Sequence, residues 1–427
     1  MHAFSWGVVV ALGVGAVGFG APGAGLRARA QPAAHLGRTA PIASRGADGR
    51  LGGVQQPMPV RQLGPIISQA HDTLGYGVGW IRVLTDGQVL VDDWLNRRVL
   101  LFDSTLTHSV VVANASGSMS TAFGNGAGTP GLLIPYLADT TLFLDQAALS
   151  LVFIDPTGKI GRVIAAPDAK TPGSLFAGQP GVDALGRLVY RSMTRPVGRP
   201  ATAPRPDTVP IVRVDLRDGH TDTLAFIKIH VPRFSQPVTV PGRGARVAPT
   251  IAEPFYTVDD WAMLSDGTVA IVRGHDLHVD FVGTDGGRES GPRIPFAWQP
   301  VNDSLKQWLV DSVGRADSVF RSTLPATSPQ NIPRDVVAAG DVPDYRPAFV
   351  APFARGDAEG NLWIKEYSAG VRTDGAIYLV VNRHGFLIDH VQIPGGTSLA
   401  GFGPGGIVYL TSAIGNGIEA LARARLR

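Results

Sequence analysis

Asp86-Gly87-Gln88-Val89-Leu90-Val91-Asp92-Asp93-Trp94-Leu95-Asn96-Arg97-Arg98-Val99-Leu100-Leu101-Phe102-Asp103 decides the fold. An Asp-Gly turn opens it. Two apolar runs of strand length follow, split by a polar turn. Asp suits such turns because its carboxylate accepts N–H groups just downstream, and Gly reaches positive φ without strain. Along each run, successive side chains point to opposite faces.

The unit recurs at Asp183-Ala-Leu-Gly-Arg-Leu-Val-Tyr190, Asp266-Gly-Thr-Val-Ala-Ile-Val272, Asp357-Ala-Glu-Gly-Asn-Leu-Trp-Ile364 and Gly403-Pro-Gly-Gly-Ile-Val-Tyr409. A degenerate copy is Ala138-Asp-Thr-Thr-Leu-Phe-Leu144. Second runs follow most copies, at 151–155, 211–215, 281–286 and 377–382, and third runs at 108–113 and 386–393. Each unit is therefore a meander of short antiparallel strands. One such sheet cannot bury both of its faces. Stacked radially, each sheet covers its neighbour. The expected fold is all-β: a six-bladed β-propeller over residues 57–427.

Three intervals carry insertions, at 193–210, 231–254 and 292–353. In the last, Leu305, Trp308, Leu309, Val313 and Phe320 fit a helical stripe, with Asn302 or Asp303 as cap. This predicts a short helical insertion, one or two turns long, between blades 4 and 5 and over one mouth of the ring. The segment 60–67 can supply the outer strand of the blade that 418–426 completes.

The chain has 427 residues, 44% hydrophobic and 17% charged, with 53 Gly and 33 Pro. That composition favours a turn-rich folded protein. The absence of Cys excludes disulfides, thiolate metal sites and a cysteine nucleophile. A net charge of +3 with no dense basic run argues against a nucleic-acid partner. Residues 7–19, GVVVALGVGAVGF, are apolar, and Ala28-Arg29-Ala30 follows. The apolar stretch falls short of the roughly 20 residues that span a bilayer. Residues 1–30 therefore read as a signal peptide cleaved near Ala30, with 31–56 as a flexible linker. The mature chain would be secreted or periplasmic, without a membrane span. The other reading of 7–19 is an uncleaved N-terminal anchor.

The run from Asp92 through Asn96-Arg97 to Phe102-Asp103 resembles an NHL-type repeat. Val272-Arg-Gly-His-Asp-Leu-His-Val-Asp280, Pro295-Phe-Ala-Trp298, Asp303, Asp344-Tyr-Arg-Pro-Ala-Phe349 and Gly360-Asn-Leu-Trp-Ile364 together resemble a family of exported bacterial proteins. That family has TolB-like or NHL-like six-bladed propellers and no assigned activity. The resemblance covers about residues 57–427. It implies a fold and an exported location, and it carries over no catalytic residues.

Candidate chemistry is sparse. Asp259-Asp260-Trp261 leads into an inner strand, where propeller channels open, and Glu253 lies just upstream. These acids could hold Ca²⁺ or exchange protons; they also fit a turn acid pair beside a packed Trp. Asp276, His278 and Asp280 share one strand face, with His275 on the other. They could hold a cation, or form a polar blade face. The charged residues of Lys365-Glu366-Tyr367, at the end of a central strand, could be functional, but an inter-blade salt bridge is the expected role. Asp92, Asp93, Asn96, Arg97 and Arg98 are expected in turn and blade-to-blade hydrogen bonds.

Gly124-Asn125-Gly126-Ala127-Gly128 lacks the Lys-Ser/Thr of a phosphate loop. No Gly-x-Ser-x-Gly elbow, His-Glu-x-x-His helix or Rossmann fingerprint occurs. No catalytic residue and no organic cofactor can be named, and Ca²⁺ is the ion the acids would take. Two functions stay open. One is an exported binding or scaffold propeller for a small molecule, glycan or envelope protein. The other is a calcium-dependent lactonase- or lyase-like hydrolase at the channel, although the Glu, Asn and Asp set of lactonase propellers cannot be mapped onto this sequence.

Overall fold

The polar turns set the strand lengths. Asp86, Asp155, Asp183, Asp266 and Asp357 each accept backbone N–H groups two or four residues downstream. Gly87, Gly267 and Gly360 follow at φ of 87°, 85° and 83°. In the degenerate copy, Ala138 and Asp139 take positive φ themselves, at 51° and 58°.

A computed structural model describes residues 58–426, except 76–79, 116–130, 147, 168–177, 194–205, 232, 235–237, 241–243, 247–249, 252, 326–327, 329–330, 332–334, 369–372 and 416–417. The expected signal peptide 1–30, the linker 31–56 and Gly124 to Gly128 lie outside the described residues, as do parts of the 193–210 and 231–254 insertions.

The chain is a six-bladed β-propeller. Counted from the blade that takes the N-terminal strand, blade 1 combines Ile66–Gln69 with Thr397–Gly403, Ile407–Gly415 and Ile418–Arg425. Blade 2 runs Ile81–Val83, Val89–Asp93, Arg98–Phe102, Ser109–Asn114. Blade 3 runs Leu132–Pro135, Thr141–Asp145, Ser150–Ile154, Ile160–Ala165. Blade 4 runs Gly181–Val182, Arg187–Arg191, Thr208–Asp215, Thr221–Lys228. Blade 5 runs Asp260–Met263, Val269–Arg273, His278–Val282, Arg288–Ser290. Blade 6 runs Arg355–Gly356, Leu362–Lys365, Ile377–Val381, Leu387–Gln392. In blades 2 to 6 the first strand is the inner one.

Each gap between consecutive blades holds its own apolar cluster. Leu90 and Phe143 meet between blades 2 and 3, Leu144 and Tyr190 between 3 and 4, and Val189 and Trp261 between 4 and 5. Val272 and Leu362 fill the next gap, Trp363 and Val408 the one after, and Tyr409 with Val91 closes the circle. Inner strands approach so closely that a Cβ on Gly356 would lie 2.4 Å from the Met263 carbonyl oxygen.

Closure uses two N-terminal strands rather than the single one expected. Ile66–Gln69 pairs antiparallel with Ile418–Arg425 as the outer strand of blade 1. Val60–Gln62 pairs parallel with Leu387–Gln392 and adds a fifth strand to blade 6. Gly64-Pro65 separates the two because Pro cannot donate to a ladder. Arg61 reaches Asp389, and Gln62 Nε2 donates to Gln392 Oε1 at 2.5 Å. The N-terminal segment thus spans the seam between blades 6 and 1.

The helix, Asp303–Ser322, lies in sequence between blades 5 and 6, not between 4 and 5. Counting repeats from Asp86 places the closing blade, 403–409, last, whereas the N-terminal strand makes it the first. The helix is also longer than expected, at 20 residues. Asn302 caps it by accepting the Leu305 N–H at 2.9 Å. An Asp317–Arg321 pair at 2.9 Å supports its last turns. Leu309 is buried against Val301, Val337 and Val342, with Phe255 and Leu305 alongside, whereas Trp308 and Phe320 of the expected stripe are exposed.

Deleting residues 57–68 removes the first of these strands and most of the second. The expected result is loss of the cooperative thermal transition, or a fall of many degrees in its midpoint. An unchanged midpoint in differential scanning calorimetry would show that closure does not depend on this segment.

Candidate channel-mouth site

Blade alternation fixes what reaches the mouth where the inner strands begin. Asp260, the first residue of blade 5, is 2% exposed and turns toward blade 6. Its Oδ2 accepts the N–H groups of Phe353 and Ala354, both at 2.8 Å, and its Oδ1 accepts the Trp261 N–H at 2.8 Å. Burial pushes its pKa up to about 6, against the pull of those three N–H groups and Arg355. Asp92 plays a similar part in blade 2. It is fully buried, and its Oδ2 accepts the Gly131 N–H at 2.7 Å. Its Oδ1 is buried without a hydrogen-bond partner among the described residues. Burial raises its pKa to about 7, with Asp93 adding to the rise.

Three cations gather at the same mouth. Arg355 of blade 6 reaches over the Trp80 ring of blade 2, 4.3 Å from its centroid, and so skips blade 1. Lys365 lies over the Phe353 ring at 4.5 Å. Arg191 ends the second strand of blade 4, and its Nε is buried without a partner among the described residues. Among the described residues, none of the three makes an ion pair, in contrast to the salt bridge expected for Lys365. Burial lowers the pKa of all three, and the Asp260 charge acts the other way on Arg191 and, after Tyr378, on Arg355. Gln179 of blade 4 also crosses the ring, its Oε1 accepting the Gly356 N–H at 3.0 Å.

The insertions border this mouth. Phe255, packed under the helix, meets Tyr367 edge-on at 5.8 Å, and Arg346 lies over it at 5.9 Å. Glu253 lies 3.7 Å from His230 Nδ1, and His230 stacks on Tyr256 at 4.0 Å.

The remaining candidates form a chain along blade 5. Asp259 Oδ2 accepts Arg273 Nη1 at 2.8 Å, and Arg273 Nε donates to Asp280 at 2.7 Å. Asp280 Oδ1 lies 3.3 Å from His278 Nε2, His278 Nδ1 lies 2.7 Å from Asp276, and Asp276 accepts Arg293 Nε at 3.2 Å. Burial acts to raise Asp276 and Asp280, but bonds from His278, Arg293, Ser290 and Arg273 outweigh it and hold both low. Asp259 also accepts the N–H groups of Lys228 and Gly274. Asp259 and Asp260 therefore part company, one tied along blade 5 and the other bound to blade 6. Asp93 accepts Asn96 Nδ2, Arg98 Nε and the Gly75 N–H, a set of turn and blade-to-blade bonds.

Among the described residues, no three His, Asp or Glu side chains converge as a metal site. A cavity of about 560 Å³ lies away from Asp260, lined by Arg61, Asp357, Trp363, Asp389 and Leu426.

No family model matches the chain, and no curated protein matches it. The similarity is to solved propellers. A calcium-binding regucalcin from Agrobacterium tumefaciens aligns at 13% identity and a TM-score of 0.38, over 86% of this chain and 97% of that one. A gluconolactonase from Xanthomonas campestris aligns at 13% and 0.36, over 86% and 99%. A catalytically inactive virginiamycin B lyase from Staphylococcus aureus, solved with quinupristin, aligns at 12% and 0.37, over 83% and 96%. At these values the likeness is one of fold.

The sequence singles out Asp260 but not Arg191 or Arg355. A signal for Arg191 and Lys365 is nevertheless present. Leu84, Asp183 and Asp357 open equivalent inner turns, and Asp92, Arg191 and Lys365 each follow by eight residues. The same offset in blades 3 and 5 gives Leu144 and Val272.

Asp260→Ala strands the Phe353 and Ala354 N–H groups and is expected to cost about 3 kcal/mol in urea unfolding. The pH dependence has two signs. Asp92 and Asp260 bind protons more tightly when folded, so their share of stability falls as pH rises from about 4 to about 7. Asp215, held down to about 2 by Arg217, contributes stability that is lost as pH drops below the ordinary carboxylate range. Asp92→Asn should therefore be more stable than the parent at pH 8 and nearly equal to it at pH 4. Parallel urea midpoints across that range would rule out the proposed burial cost.

Proposed function

We propose that this chain is an exported binding propeller whose ligand seats at the inner-strand mouth, and that it does not hydrolyse its ligand with a bound metal. The observation that carries this reading is the division of labour at the mouth. Asp260 gives both of its oxygens, and Asp92 its Oδ2, to backbone N–H groups, while the cations stand without ion-pair partners among the described residues.

A resident Ca²⁺ does not fit the residues present. Ca²⁺ takes six to eight oxygen ligands at roughly 2.3–2.6 Å, mostly carboxylates and carbonyls. Asp260 already accepts three N–H groups, and Asp259, Asp276 and Asp280 are paired with arginine. Arg191 and Arg355 flank Asp260 and would repel a dication. Among the described residues, the lactonase-like alternative therefore lacks a seat for its metal.

Thermal-shift assays of the full chain with Ca²⁺, Zn²⁺ and EDTA test this directly. The expected midpoint is the same in all three. A saturable Ca²⁺-dependent rise that disappears in Asp260→Asn would instead favour the lactonase-like reading.

A further inference from the structure

The three cations at the mouth are not scattered. Arg191 and Lys365 occupy one structural position in blades 4 and 6, eight residues after the residue that opens the inner turn. Blades 3 and 5 have Leu144 and Val272 there, both buried in the gap to the next blade. The apolar residue is thus the one that packs, and a cation at this position gives up inter-blade contact. Ordinary salt bridges do not explain the exchange. The charged partner available to Arg191 is Asp260, whose oxygens are already taken by N–H groups. The Lys365 ammonium lies against the face of Phe353, and the Arg355 guanidinium lies over Trp80, close enough to Asp260 to feel its charge but without an ion pair among the described residues.

Cation–π contact is worth about 0.5–2 kcal/mol, less than a buried guanidinium loses on leaving water. Elsewhere in the described residues, half-buried arginines meet an oxygen partner: Arg273 meets Asp259 and Asp280, Arg82 meets Asp139 and Arg187 meets Asp183, while Arg346 bonds to Gln299 and Arg423 to the Ser104 carbonyl. At the mouth, three cations from two blades have neither an ion pair nor a side-chain hydrogen bond among the described residues.

We propose that the mouth is a binding site for an oxyanion, a small molecule bearing a carboxylate or phosphate group, held by Arg191, Arg355 and Lys365. The inference rests on the binding reading above and specifies its ligand class. Arg355 can grip a planar or tetrahedral oxyanion with two N–H donors, and Lys365 adds a mobile point charge. Asp260 offsets part of this positive charge, but its oxygens are directed to the Phe353, Ala354 and Trp261 N–H groups, and three cations gather at this mouth. The guanidinium of Arg355 then leaves the Trp80 face to meet the ligand, so Trp80 reports the event.

The experiment titrates the full chain with sodium phosphate and with sodium citrate, against sodium chloride at matched ionic strength. Tryptophan fluorescence and the thermal midpoint are followed together. At least one of the two anions is expected to give a saturable response that chloride does not. Arg355→Met and Lys365→Met should each weaken it at least tenfold, and Arg217→Met, a surface control, should leave it unchanged. Trp80→Phe should abolish the fluorescence change while the thermal shift persists.

Far-UV circular dichroism and a cooperative melt establish that each variant is folded. Should Arg355→Met fail that check, Lys365→Met and Arg191→Gln carry the decision. Absence of a saturable response to both anions overturns the proposal, as does a response that survives in the folded variants. A neutral sugar panel separates the two levels. Sugar binding lost in Trp80→Ala, with no anion response, would reject the ligand class and keep the binding mouth. No binding of any probe would count against both.

Discussion

The constraint behind this structure is that a narrow sheet with two apolar faces has no stable existence alone. Leu90 on one face of blade 2 needs Phe143 of blade 3, and Val91 on the other needs Tyr409 of blade 1. Extending that demand from blade to blade gives a ring. The ring must then close between elements from opposite ends of the chain. Ile66–Gln69 and Val60–Gln62 do this by lying on the outer edges of blades 1 and 6. With no cysteine available, closure and packing carry the stability that disulfides supply in many exported domains.

Closure also decides what chemistry is available in the middle. Inner strands that nearly touch leave little room, as the approach of Gly356 to Met263 shows. Backbone N–H groups that begin each inner strand have no ladder partner and need acceptors. Asp260 serves Phe353 and Ala354, and Asp92 serves Gly131. Acids placed at a propeller mouth can therefore be structural, and their raised pKa values follow from burial rather than from a catalytic role. This is why the paired acids that attract attention in the sequence divide in the fold.

Local features of the fold were legible because they depend on neighbours in sequence. The Asp-Gly turns, the strand alternation and the bonds of Asp93 to Asn96 and Arg98 all lie within a few residues. The number of blades followed from counting turns. Features set by distant contacts were not legible. The helix is a separate case: its length is held by local contacts, the Asn302 cap named in the sequence and the Asp317–Arg321 pair, which the apolar stripe alone does not show. Arg355 gave no signal, since its partner Trp80 lies 275 positions away and only the ring brings them together. Lys365 looked like half of a salt bridge because sequence supplies the charge but not the surroundings that leave it facing a ring.

The mouth can be compared with blade 5, where the same residue types are arranged differently. Along Asp259, Arg273, Asp280, His278, Asp276 and Arg293, charges alternate and every group has a neighbour of opposite or neutral kind. Such a chain is self-contained and offers a ligand nothing without first breaking an internal bond. At the mouth the order of events is reversed. The acids are hydrogen-bonded by the backbone, and Arg355 and Lys365 are left with aromatic faces that an oxyanion can outbid, because a charge-assisted hydrogen bond is stronger than a ring contact in the same low-dielectric setting. Two clusters of similar composition thus differ in whether their charges are satisfied within the protein, and that difference, more than the identity of the residues, marks one as scaffold and the other as a place for something to bind.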